Sequence, residues 1–71
     1  MTPTDLQAIM QARPAFLAEA RRAAGLFQRQ LADHLGVPRH TVARWERGER
    51  MPTGLYLHAL AQWIIFSRFL P

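Results

Sequence analysis

The chain contains no cysteine, which excludes a disulfide framework and any thiol-based metal site. A reducing compartment is compatible with that absence. Its five acidic residues are dispersed, with no pair arranged for general acid–base work. His34, His40 and His58 lack metal-ligand spacing. There is no Ser/His/Asp or Cys/His set and no glycine-rich phosphate loop. Neither catalysis, a metal nor a cofactor is therefore expected. No apolar run reaches the ~18 residues of a membrane span, and the N-terminus lacks a basic-then-apolar signal. The expected setting is the cytoplasm, with no membrane partner. Lysine is missing as well, so all nine basic residues are arginine.

What remains is a short, basic chain. Its 71 residues make one domain with a small core and little room for a second site. The formal net charge of +4 points towards polyanions, most often nucleic acid.

The stretch Gln28 to Arg47 organises the rest. Leu31, Ala32 and Leu35 form one apolar stripe of a helix. Gly36 follows and ends that helix cheaply, because it accepts positive φ. Val37 is the apolar residue past the corner, and Pro38 suits the first turn of a new helix. Val42 and Trp45 give the second helix its inward face. Ala32 is small where the two helices must approach closely. Arg39, His40, Ala43, Arg44 and Arg47 are expected to face outward. A short helix with such a basic, donor-rich face suits a phosphate-lined groove with base edges at its floor.

The pattern Gly25-Leu26-x-Gln28-x-x-Leu31-Ala32-x-x-Leu35-Gly36-Val37-x-x-x-Thr41-Val42-x-x-Trp45-Glu46-x-Gly48-x-x-x-Pro52 resembles the Cro/repressor (XRE) helix-turn-helix family. The resemblance runs from about Pro14 to Ile64. Phe27 departs from it, standing where the family has a small polar cap. The resemblance implies an all-α, lambda-repressor-like bundle of four to five helices. It implies that Gln28 contacts backbone or base, and that Arg39, His40 and Arg44 enter the major groove. Thr41 and Arg47 would hold phosphates, and Arg50 would lie near the DNA-facing side. It also offers Glu46 as partner for Arg21; the alternative is two solvated charges. Arg22 and Arg29 face outward, either touching phosphate or simply solvated. Backbone N–H groups around Arg47 and Gly48 are read as open to phosphate.

Residues 1–13 read as an N-terminal extension with a short helix, capped by Thr2 or Thr4 and carrying Leu6, Ile9 and Met10 on one stripe. Residues 14–71 read as the DNA-binding domain. Ala15 to Ala24 form its first helix, with Leu17, Ala20, Arg21 and Ala24 sharing a face. Gly48, Pro52 and Gly54 punctuate a loop. The last helix runs from Thr53 or Leu55 to Phe69. The expected core is Leu31, Leu35, Val42, Trp45, Leu57, Leu60 and Ile64, with Ala61 beside them. That leaves Leu55, Tyr56, Trp63, Ile65, Phe66 and Phe69 without an obvious interior place. Trp63, Phe66 and Phe69 form a second stripe, read as a dimer interface. The competing cover is the extension helix.

Two functions follow. The first is a sequence-specific regulator binding double-stranded DNA, read as an autoregulatory repressor of a small phage or plasmid operon that grips an inverted repeat as a homodimer. The second is an antitoxin or adaptor whose apolar last helix binds a protein partner.

Overall fold

A computed structural model gives the backbone of residues 1–69 and the side chains of residues 1–67. The chain forms five helices: α1 (Pro3–Ala12), α2 (Ala15–Ala23), α3 (Gln28–Leu35), α4 (Arg39–Glu46) and α5 (Gly54–Phe69). No strand occurs among the described residues. Helix α1 starts with a reciprocal cap. The Thr2 hydroxyl accepts from the Asp5 N–H, and the Asp5 carboxylate accepts from the Thr2 N–H, both at 3.1 Å. The Thr2 N–H, and then the Thr2 hydroxyl, hold the Asp5 carboxyl below the usual carboxylate range. Pro14 breaks the chain between α1 and α2.

The ends of α2, α3 and α4 share one bonding pattern. In α3 the Val37 N–H reaches the Ala32 carbonyl at 3.0 Å and the Gly36 N–H reaches that of Asp33. Two carbonyls left over at the helix end are thereby satisfied. In α4 the Glu49 N–H bonds the Arg44 carbonyl and the Gly48 N–H bonds that of Trp45.

The core draws on every helix. Leu6, Met10, Leu17, Leu31, Val42, Trp45, Leu57, Leu60, Ala61 and Ile64 are buried in one cluster. Leu35, expected there, is only half-buried, packed at the edge beside the corner. Helix α1 lies along α5 and inserts Leu6 and Met10. It therefore covers part of α5 within one chain. Tyr56 also finds a place, half-buried with its ring centroid 5.7 Å from that of Trp45. Leu55 and Phe66 stay exposed, at 75% and 64%.

Two glycines are positioned by different constraints. Gly36 sits at φ +72°, and a Cβ there would meet nothing within 4 Å. Gly48 sits at φ +75°, and a Cβ there would stand 2.8 Å from Cγ of Pro14. Gly36→Ala should cost about 1–2 kcal/mol of stability, the ordinary cost of left-handed backbone. Gly48→Ala should cost clearly more, because Pro14 has to move as well. Urea unfolding of the two variants checks this; equal losses would mean that the Pro14 contact is slack.

Candidate nucleic-acid interface

Helix α4 turns Val42 and Trp45 inward and leaves Arg39, His40, Arg44 and Arg47 exposed, with Thr41 half-buried. Ala43 does not join the outward face as expected: it is 5% exposed. Helix α4 packs against α2 as well as α3, so its buried side is wider than a single seam.

The polar bonds at the base of this face start in the interior. The Arg21 side chain, 8% exposed, donates from Nε to Oε2 of Glu46 at 2.7 Å and from Nη2 to Oε1 at 3.1 Å. Its Nη1 donates to the Leu26 carbonyl at 2.7 Å. The Glu46 side chain is 6% exposed. Its Oε1 also accepts from Nε2 of Gln28 at 2.9 Å. Oε1 of Gln28 in turn accepts from Nη1 of Arg39 at 3.0 Å. A continuous chain of bonds thus runs from α2 through α4 and α3 to the first residue of α4. Of the two readings left open for Arg21 and Glu46, the paired one holds. Among the described residues no buried side-chain nitrogen or oxygen lacks a partner.

The far end of the face has its own chemistry. Arg47 pairs with Glu49 on the surface. Their hydrogen bond lowers the Glu49 carboxyl below its ordinary range and raises Arg47 above its own. Glu49 had no assigned role from the sequence, although its position two residues past Arg47 in a tight turn was the available signal. Arg50 joins Thr41 and Arg44 around a shallow depression floored by Trp45 and Tyr56, of about 380 Å³. The backbone N–H groups of Arg47 and Gly48 are not open to phosphate. They bond the carbonyls of Ala43 and Trp45, which the end of α4 would otherwise leave unpaired.

Along α5, Trp63 is half-buried between two grooves. One is lined by Phe16, Ala20, Ala23 and Ala24, the other by His34, Ala59 and Phe66. The Phe69 side chain lies outside the described residues. Among those residues no helix is long and apolar enough to cross a membrane, and no group of acids and histidines is gathered for a metal ion.

A protein-family model described as helix-turn-helix, of the Cro/C1 type and XRE-like, matches residues 17–62. No curated protein and no solved structure matches the chain.

Removing one partner of a buried pair strands the other charge, a loss of about 3–5 kcal/mol. Arg21→Met and Glu46→Leu should each lose that much, and the double variant less than either. Urea unfolding of the three variants is the check. Additive losses would mean that the two side chains act independently.

Proposed function

Because this chain belongs to the Cro/C1-type helix-turn-helix family of DNA-binding regulators, we propose that it is a sequence-specific repressor that reads an inverted-repeat operator as a homodimer. Helix α4 is the recognition helix. Arg39, His40 and Arg44 meet base edges in the major groove, and Thr41, Arg47 and Arg50 hold the flanking phosphates. Gln28 supports Arg39 from behind. The observation that carries this reading is the tether on Arg39. A guanidinium held at the start of an exposed, basic helix keeps its fork ready for O6 and N7 of guanine. Regulation of its own operon in a phage or plasmid is the setting proposed for it, and such a repressor works in the cytoplasm, on the nucleoid.

Assembly follows from size and surface. The chain spans 32 Å at its longest and carries one recognition helix. Two such helices about 34 Å apart, one turn of DNA, therefore need two copies. The stripe that begins with the half-buried Trp63 and the exposed Phe66 supplies the self-complementary interface of that dimer. The exposed Phe66 also favours a second reading, in which α5 binds a different protein, as an antitoxin or adaptor would.

Selection from a pool of random duplexes, followed by sequencing, tests the function: an inverted repeat should be enriched. Absence of any enriched motif would favour the adaptor reading. On the selected duplex, Arg39→Ala and Arg44→Ala should each weaken binding by roughly 1–3 kcal/mol and relax preference at one base position. Full preference in both variants would mean that another element reads the bases.

Glu49 competes with phosphate for Arg47. Glu49→Gln should therefore tighten binding to every duplex and steepen its dependence on salt. Unchanged titrations at two salt concentrations would remove Arg47 from the phosphate contacts.

Sedimentation addresses the dimer. The parent should run at dimer mass at micromolar concentration, and Phe66→Glu as a folded monomer with weak operator binding. A monomeric parent that binds a single half-site would sink the dimer.

A further inference from the structure

Phe27 stands at the start of α3 in extended backbone, as its N-cap. It is a poor residue for that position, because its side chain has no oxygen to accept the free N–H groups of the first turn. Only the reverse half of a capping pair is made, with Oε1 of Gln30 accepting from the Phe27 N–H at 2.7 Å. The residue is also 75% exposed. Phenylalanine here thus forgoes a cap and leaves a large apolar surface in water. Local choices that cost stability without compensation inside the fold concentrate at functional surfaces.

Its neighbours indicate what meets it. The next residue, Gln28, holds Arg39 at the head of the recognition helix. Arg29 and Arg39 are both exposed. Glu46, the acid nearest in the bonding network, is already engaged by Arg21 and Gln28. Two exposed guanidinium groups therefore belong to this end of the helix-turn-helix, one two residues along the chain from Phe27 and one bonded to the residue that follows it. A partner that is anionic and yet offers apolar carbon is a nucleic-acid strand, where deoxyribose alternates with phosphate.

We infer that Phe27 is a DNA-contact residue, resting its ring on the deoxyribose edge of the strand beside the major groove while Arg29 and Arg39 flank it. The inference rests on the DNA-binding reading above. The contact adds affinity that neither salt nor base sequence governs, since it releases no counterion and touches no base.

The test measures binding by fluorescence anisotropy at two salt concentrations. The probes are the duplex enriched from the random pool and a scrambled duplex of equal length. The proteins are the parent, Phe27→Ala and Phe27→Leu. Removing most of a buried phenyl surface corresponds to about a tenfold loss of affinity. Phe27→Ala should lose about that much on both duplexes, with the salt slope and melting temperature of the parent. Phe27→Leu should recover most of the loss, because it restores apolar bulk.

Parent-like binding by Phe27→Ala would overturn the inference. So would a lowered melting temperature, which would make the ring part of the fold. A shallower salt slope would assign the effect to a displaced arginine, and a loss confined to the selected duplex would put the ring on a base. A fall in sedimentation mass with unchanged half-site binding would make Phe27 a protein contact. Failure of the parent to bind any duplex would remove the DNA-binding reading itself, and is distinguishable from all of these.

Discussion

One ion pair sets the geometry on which the rest depends. Arg21 and Glu46 are almost out of water, and ions so placed lose hydration worth several kcal/mol each. Two parallel bonds between them, a third to the Leu26 carbonyl and a fourth from Gln28 offset that loss. The gain is directional. Apolar helix faces tolerate some sliding, whereas a fork on a carboxylate has one good geometry. The pair fixes the end of α4 against α2 and against the turn leading into α3. The same carboxylate then passes a bond to Gln28, and Gln28 to Arg39. A choice made in the interior is thereby expressed at the surface of the recognition helix.

Around this polar joint the apolar core is small, and each helix must contribute. Leu6 and Met10 of α1 are as deeply buried as Leu31 and Val42 of the helix-turn-helix. Helix α5 supplies the opposite wall with Leu57, Leu60 and Ile64, and Tyr56 leans on Trp45 from the same side. The surface of α4 is left free of structural duty except at Val42, Ala43, Trp45 and the ion-paired Glu46. That division lets its exposed residues His40 and Arg44 vary without disturbing the packing.

Much of this was legible in the chain because the signals are local. Gly36 and Pro38 bracket a corner, and the stripes on either side give each helix its inward face. Thr2 and Asp5 announce the start of α1 by their spacing. What escaped was set by distant neighbours. Ala43 is buried on a helix that packs against both α2 and α3, which no periodicity within eight residues reveals. The N–H groups after α4 read as free in a glycine-containing loop, yet the helix end recruits them. Leu35 belongs to the right stripe but sits where the corner opens. Among the candidate DNA contacts, residue types and their helix were readable. The double engagement of Gln28 was not, since it needs Arg39 and Glu46 brought to one place.

The packing of α1 along α5 has a consequence for synthesis. Helices α3 and α4 adjoin in the chain and pack on each other, and α2 packs on α4, so these three can meet before α5 is made. Leu6 and Met10, made before the other four helices, have no complete pocket until the residues of α5 have been added. Chains grow at about 5–20 residues per second. For that interval the first helix is amphipathic and uncovered, and a single one of its length is barely stable in water. The nascent domain therefore closes its core late, by joining α1 to α5. Folding is committed only when both have been made.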